Sequence, residues 1–309
     1  MVSMNIDKLI ANIKYDKTSG ASELMIKAVE CLIKFSETFR GESEKDFYND
    51  MLNLGRKLID AQPSMAPLFF AVNKMLLALK NEVKRGSTLR ELTEFVKNAL
   101  QDLLSYSENA QIKIQKNGLD PIKVGAKILT HSYSSTVIKS LIFAHQNGKN
   151  MEVFVTESRP MFEGRRTATI LAENKIKTTL IADMASFYFL EDIDMIITGC
   201  DCVCQKGIVN KIGTKGLAIS ASHYGIPFYV LCEKSKFLPT NYREEPSIEA
   251  KDPKEIFEGE NDIEIRNIYF DMTPHRFFEG IVTEEKMFKG NEIEDVLAAQ
   301  EVCQGLISG

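Results

Sequence analysis

No stretch of the 309-residue chain approaches the ~20 apolar residues that a membrane-crossing helix needs. The opening MVSMNIDKLIANIKYDK has no long apolar segment followed by a small-residue cleavage site, so no secretory signal is expected and the chain reads as cytoplasmic. Excess basic charge is also missing. With 38 lysines and arginines against 43 acids, the formal charge is −5. That gives no electrostatic reason to expect direct nucleic-acid binding or attachment to an anionic membrane. No GxGxxG follows the first strand-like run and no GxxxxGK[ST] occurs, which disfavours a standard dinucleotide site and a P-loop. Internal repeats and low-complexity tracts are absent. The six cysteines are clustered rather than spread, which is no disulfide framework.

What is present is ordinary for a folded protein: 44% apolar and 26% charged residues, enough for one large or two modest domains. The first 115 or so residues have helical texture. Leu24, Ala28, Leu32 and Phe35 recur at helical spacing in SELMIKAVECLIKF. APLFFAVNKMLLALKNEV is apolar enough for a buried helix ended by Gly86, and Pro63 and Pro67 punctuate the approach to it. Thr88 with Glu91 three residues on forms a capping-box pattern opening the next helix. From about residue 121 the apolar runs KILTHS, EVFVTE, TTLIAD, MIITGC and PFYVLC alternate with amphipathic stretches, and Gly148 and Gly225 fall where helix C-caps belong. The fold class predicted is α/β: an N-terminal helical domain (residues 1–118), then a Rossmann-like, doubly wound, mainly parallel sheet (residues 119–309). The charged, proline-bearing run LPTNYREEPSIEAKDPKEIFEGENDIEIRN reads as a surface excursion. IYFDMTP and FEGIVTEE read as an added strand or two, and a last helix starts near Glu292.

Ligands bind beyond the carboxyl ends of the strands in such a sheet. The rule selects Ser132, Ser134, Ser135, Arg159, Asp183, Asp201 and Lys236, with Asn210 and Lys211 in the GIVNKI stretch that follows the fourth strand. Hydroxyls at a helix N-terminus, lysines and an arginine suit a phosphate, and an aspartate can exchange a proton with a hydroxyl. A phosphorylated polyol fits this rim. Taken singly, each residue has a plainer reading: Ser132 as a helix cap, Asp183 as a partner of nearby backbone amides, Lys211 as a solvated charge. Cys200, Cys202 and Cys204 lack the second Cys or His pair of a zinc site, so no metal is expected. In extended chain they share one face, with Asp201 on the other, and small buried hydrophobes account for them.

The ordered strings THSYSS, VTESRP, EGRRTA, IADMA, GCDCV, GIVNKIGTKGLA, HYGIPFYV and EKSKF, over most of residues 20–300, resemble one family. It joins the alpha, beta and delta subunits of eukaryotic translation initiation factor 2B with two isomerases, of ribose 1,5-bisphosphate and of methylthioribose 1-phosphate. The resemblance implies the two-part fold above, with the ligand site and a dimer interface in the Rossmann-like part. It implies a homodimer, in some members a hexamer, and no cofactor. The isomerases' aspartate matches Asp201, their Asn-Lys pair matches Asn210 and Lys211, and a later lysine matches Lys236. Gly20 and Ala21 of the SGA loop join the ligand-binding set. The isomerases' catalytic cysteine is Ser132 here, and two of their arginines fall at Ser19 and Gln62. A hydroxyl does not ionise usefully near neutral pH, and no base stands beside Ser132 in sequence. THSYSS and VTESRP are worded like the alpha subunits. The leading expectation is therefore an alpha-subunit-like protein that binds a phosphorylated sugar or nucleotide, acts through assembly or regulation, and has initiation factor 2 or related subunits as partners. The alternative is an aldose–ketose isomerase with Asp201 as general acid/base; a third reading is a structural homo-oligomer with an empty pocket.

Overall fold

The computed structural model describes residues 2–17, 19–243, 245–259 and 263–307. Five helices open the chain: α1 (Val2–Lys14), α2 (Ala21–Thr38), α3 (Glu44–Ala61), α4 (Ala66–Arg85) and α5 (Leu89–Asn117). Local signals set their ends. Thr88 and Glu91 close the expected capping box, the carboxylate accepting the Thr88 N–H at 2.7 Å and the Thr88 hydroxyl accepting the Glu91 N–H at 3.4 Å. Gly86 stops α4 in the left-handed region at φ 82°, which costs glycine nothing. Leu24, Ala28 and Leu32 are buried along the predicted stripe of α2.

The rest alternates: β1 (Lys127–Thr130), α6 (Ser135–Gln146), β2 (Glu152–Thr156), α7 (Glu163–Glu173), β3 (Lys177–Ile181), α8 (Ser186–Phe189) and β4 (Met195–Thr198). Then come β5 (Cys202–Cys204), β6 (Gly207–Lys211), α9 (Thr214–Tyr224), β7 (Phe228–Leu231), β8 (Phe270–Thr273), β9 (Gly280–Val282), β10 (Met287–Phe288), α10 (Ile293–Ala298) and α11 (Gln304–Ile307). The main sheet runs β10-β9-β7-β4-β1-β2-β3, parallel except for β10. The α/β class and the five predicted strands stand. No helix among the described residues is long and apolar enough to cross a membrane.

Three expectations need correction. GIVNKI, expected only as a stretch beyond the end of the fourth strand, is a strand itself: it is β6, the centre of a separate antiparallel sheet of order β5-β6-β8. The three cysteines do not share a face. β4 ends at Thr198 and β5 starts at Cys202, so the chain turns between them. Cys202 and Cys204 pack into the helical core, whereas Cys200 packs into the core of the main sheet. The excursion after Phe237 is not all surface, although its residues 244 and 260–262 lie outside the described set. Tyr242 stacks on Phe69 of α4 with ring centroids 4.1 Å apart, and Ala250 bridges to Ile268.

The small sheet joins the two halves. Cys202, Cys204, Val209 and Phe270 bury their side chains among the helices, while Val203 and Ile208 face the other way, into the main-sheet core. Asn73 of α4 ties the C-terminal tail to the same helices, donating to the Glu301 carbonyl at 2.8 Å and accepting the Cys303 N–H at 2.7 Å.

Gly164, near the start of α7, lies so close to β2 that a Cβ there would sit 1.8 Å from the Thr156 carbonyl oxygen. Gly164→Ala is expected to lower stability by about 1–3 kcal/mol in urea unfolding. Gly216→Ala, in α9, would meet Phe187 at an ordinary 3.6 Å and is expected to raise stability by about 0.5–1 kcal/mol.

Candidate active site

β1 and β4 are neighbours, and the chain leaves them in opposite directions across the sheet, toward β2 and toward β7. The gap beyond their carboxyl ends is the topological switch point of the fold. Ser132, Ser134 and Ser135 follow β1, and Gly199 and Asp201 follow β4. Gly199 lets them meet: a Cβ there would lie 2.5 Å from Ser134 Oγ.

At this point the N-termini of α2 and α6 converge on a niche of about 30 Å³. Ser134 caps α6 with its hydroxyl, whereas Gly20 offers α2 no side-chain cap, so N–H groups of its first turn stay open to an incoming anion. Lys236 is buried on the niche wall and donates to the Cys200 carbonyl at 2.6 Å. Burial works against its charge. The surrounding Cys200, Asp201, Cys232 and Glu233 outweigh that and hold it above the usual lysine range. Asn210 completes the wall, its amide donating to Thr214 Oγ1 at 2.9 Å.

The niche shares Gly20, Tyr133 and Asp201 with a cleft of about 690 Å³ between the helices and the sheet. Asp201 stands at the junction, and no side chain among the described residues hydrogen-bonds its carboxyl. Burial pushes it above the usual aspartate range; Lys236 and Lys211 pull it back only in part, and Glu163 adds to the rise. Across the cleft, Lys211 at the end of β6 is buried in an ion pair with Glu163 and lies 4.7 Å from the Tyr269 ring centre. Ser132 donates to the same Glu163 oxygen at 3.2 Å.

The Ser132 backbone is held in the left-handed region, at φ 73°, a conformation that costs a non-glycine residue roughly 1 kcal/mol or more. Neighbouring groups fix it: its N–H donates to Ser158 Oγ at 2.9 Å, and its carbonyl accepts from Thr167 Oγ1 at 2.9 Å. Behind it the buried His131 bridges the Ile212 carbonyl, at 2.9 Å from Nε2, and Thr156 Oγ1, at 2.6 Å from Nδ1. The carbonyl requires Nε2 to carry the proton, so Nδ1 accepts from the threonine. Burial lowers this imidazole's pKa, which agrees with a neutral ring.

The outer wall of the cleft comes from residues 249–252 and Glu255. Glu255 fastens it to the floor, pairing with Lys17 at 2.6 Å and accepting from Asn267 at 2.8 Å and from the Tyr269 hydroxyl. Burial works against the charge of Glu255, but these partners prevail and hold its carboxyl below the usual range.

Most of the sequence-derived set therefore lies together. Gly20, Ala21, Ser134, Ser135, Asn210 and Lys236 line the niche, Ser132 and Lys211 the cleft, and Asp201 both. Lys211 is no solvated charge, and the cap of α6 is Ser134 rather than Ser132. Asp183 does what its plainer reading said, accepting the N–H groups of Ser158 and Arg159 at 2.6 and 2.7 Å. Arg159 lines neither cavity; its exposed guanidinium bonds the Ile256 carbonyl at 3.3 Å. Arg166, with its guanidinium 4.2 Å from the Tyr133 ring centre, is the arginine of the cleft. Gln62, where the resemblance places an arginine, caps α1 by donating to the Ile13 carbonyl at 3.1 Å. Ser19, the other such position, accepts from Lys27 at 3.0 Å. Sequence reasoning missed Glu163 as the partner beside Ser132, although the EGRRTA string that carries it was visible. Among the described residues, no group of three His, Cys, Asp or Glu side chains is placed to hold a metal ion.

A family model described as the initiation factor 2 subunit family matches residues 17–290, and the chain belongs to that family. Ribose 1,5-bisphosphate isomerase of Archaeoglobus fulgidus is 35% identical over 272 residues, covering 86% of this chain and 83% of that protein. The isomerase of the same name from Methanocaldococcus jannaschii is 34% identical over 284 residues, covering 90% of each. A solved structure of translation initiation factor eIF-2B from Pyrococcus horikoshii OT3 matches with a TM-score of 0.79 at 28% identity, covering 92% of this chain and 96% of that one. The names of these two relatives favour the isomerase alternative over the translation-factor reading that led on sequence grounds.

The raised carboxyl of Asp201 has a consequence for stability. Between the usual aspartate value and the raised one, the folded chain binds a proton that the unfolded chain releases. Its stabilising contribution is full below the usual value and is lost as pH rises through the raised one. Asp201→Asn cannot titrate, so its Tm advantage over the unsubstituted protein is expected to grow from about pH 4 to about pH 8. Tm curves that stay parallel across that range would contradict the assignment.

Proposed function

We propose that the cleft binds an aldose 1-phosphate and isomerises it to the ketose phosphate, with Asp201 supplying the proton that opens the sugar ring. The observation that carries this is the place of Asp201: an unbonded carboxyl with a raised pKa, at the junction of an anion niche and a sugar-sized cleft. The names of the relatives supply the substrate class, ribose 1,5-bisphosphate being its test case.

The chemistry makes specific demands. An aldose 1-phosphate carries its ester on the anomeric carbon, so the ring cannot open to a free aldehyde. The bond from C1 to the ring oxygen breaks instead as that oxygen takes a proton, leaving positive charge on C1 that the ester oxygen shares. The hydrogen on C2 then moves to C1 with its electron pair, and the C2 hydroxyl gives up its proton to become the ketone. C1 is reduced and C2 oxidised within one molecule, one proton enters and one leaves, and nothing else is consumed. A phosphate in the niche, held by the turn of α2 and by Lys236, fixes C1 against Asp201, and Arg166 faces a second phosphate.

One residue favours a second reading, a sugar-phosphate binder without turnover that works through assembly. Ser132 stands where the resembling isomerases carry a thiol. Homodimers or hexamers, and initiation factor 2 or related subunits as partners, belong to that reading, with dimers compatible with both.

Ribose 1,5-bisphosphate is expected to be converted to ribulose 1,5-bisphosphate, followed by phosphorus NMR. Asp201→Asn is expected to lower kcat by at least about 100-fold, and Lys236→Met to raise KM by about 10-fold or more. Saturable thermal stabilisation without product would establish the binder instead.

A further inference from the structure

We propose that Glu233 is a positioning residue for the phosphate niche: a counter-charge held at one remove from Lys236, which leaves the ammonium free to donate to a phosphate. This inference rests on the niche holding a phosphate of the substrate, as in the isomerase reading, and names what prepares the niche for it.

Glu233 and Lys236 belong to one turn. β7 ends at Leu231, and the Lys236 N–H donates to the Glu233 carbonyl at 3.0 Å, closing a short 3-10 turn. Residues three apart on such a turn lie over one another. Both side chains are buried, at 2% and 5% exposure, yet they do not pair directly. The Lys236 ammonium lines the niche and donates to the Cys200 carbonyl at 2.6 Å. Glu233 Oε2 accepts instead from Ser107 Oγ of α5 at 2.9 Å and from Ser235 Oγ at 3.3 Å.

That separation is what two plainer roles leave unexplained. To fasten α5 to the sheet, a glutamine would accept the same two hydroxyls without the cost of burying a charge. To neutralise Lys236 alone, a direct pair would serve better, but it would take up the donors. An ammonium has three donors, and the described residues use one of them, on Cys200. A lone buried ammonium sheds its proton, and a directly paired one has little left for a ligand. A carboxylate tied back by hydroxyls on the same turn avoids both.

The other groups around Lys236 do not replace it. Burial works against the lysine's charge, and Cys200, Asp201, Cys232 and Glu233 oppose that. Near neutral pH a thiol is mostly uncharged, and burial pushes Cys232 further up. Asp201 brings a proton to the proposed reaction and has no hydroxyl to hold its charge. Burial raises Glu233 too, and Glu284 beyond β9 adds to the rise, but Lys236, Ser107 and Ser235 pull it back. Glu284 is itself held by the Tyr106 hydroxyl and by the Lys234 N–H at 3.2 Å. Tyr106 and Ser107 are adjacent, so one turn of α5 grips both carboxylates. Glu23 and Tyr133 also line the niche.

The test uses the full-length protein and inorganic phosphate as the probe, with Kd measured by calorimetry from about pH 7 to about pH 10. Glu233→Gln, folded as judged by its Tm, keeps the volume and an acceptor for Ser107 but loses the charge. At about pH 9 it is expected to bind phosphate about 10-fold or more weakly than the parent. Its binding should also fall away about one pH unit lower, because Lys236 gives up its proton sooner as pH rises. Glu233→Asp should recover part of the affinity, and Ser107→Ala should stay within about 3-fold of the parent with the same pH profile. A Glu233→Gln protein that binds as tightly as the parent or more tightly overturns the assignment and leaves the isomerase reading intact. So does an equal loss in Glu233→Gln and Ser107→Ala with unchanged pH profiles, which marks a fastening alone. If the unsubstituted protein binds phosphate no better than Lys236→Met, the niche is not the phosphate site and the inference falls with it.

Discussion

The pairing of β1 with β4 is the constraint from which the rest follows. Two parallel strands lie side by side, Leu129 opposite Ile196, yet their chains cross to opposite ends of the sheet. Right-handed crossovers then leave an unfilled crevice beyond this one pair. Each polar group of the site reaches that crevice from a different direction. The serines come from β1, Asp201 from β4, Lys236 from beyond β7 and Lys211 from the small sheet. Because the groups arrive on separate elements, each is held by its own packing rather than by one flexible loop.

The crevice concentrates charge that burial would normally forbid. Lys211 and Lys236 are 4% and 5% exposed, with Asp201 and Glu163 facing them, so two cations and two carboxylates share one poorly hydrated space. Only Lys211 and Glu163 are directly paired. Lys236 leans on a backbone carbonyl, and Asp201 is left to shift its pKa. Buried ion pairs add little to folding stability, and loosely paired ones reduce it. In the proposed reaction a bound phosphate supplies the counter-charge for Lys236, and sugar hydroxyls supply hydrogen bonds to Asp201.

The parts legible in the sequence were those with local causes. Five strands and the capping box at Thr88 followed from periodicity and spacing, and the rule of the strand ends picked Asp201, Lys211 and Lys236. What escaped depended on distant partners. β6 owes its strand character to β8, paired through Asn210 and Asp271 about sixty positions apart, and GIVNKI carries no alternation to announce that. Arg159 obeyed the strand-end rule but lost the site because Asp183 takes its backbone N–H and turns it outward, while Arg166 faces the cleft from α7. Glu163 looked like an ordinary first-turn acid. Its partners became visible only when β6 brought Lys211, and the turn after β1 brought Ser132, to the same oxygen. The translation-factor wording of THSYSS and VTESRP weighed more in the sequence reading than the relatives' names now give it, because short strings weigh one substitution heavily, whereas identity over 272 residues weighs the whole chain.

Glu255 deserves a mechanical view. One carboxylate fastens the outer wall of the cleft to three separate places: Lys17 after the first helix, Asn267 ahead of β8, and Tyr269 on the cleft floor. Two of these partners, Asn267 and Tyr269, sit on one short segment. The wall is also stitched to that segment through its backbone: Ala250 bridges Ile268, the Lys251 N–H donates to the Asn267 carbonyl at 2.8 Å, and the Asn267 side-chain amide donates to the Asp252 carbonyl at 2.7 Å. The outer wall is therefore clamped along residues 267–269 and meets the helical layer through Lys17, so the cleft is bounded by a fixed edge rather than by a segment hung on one contact.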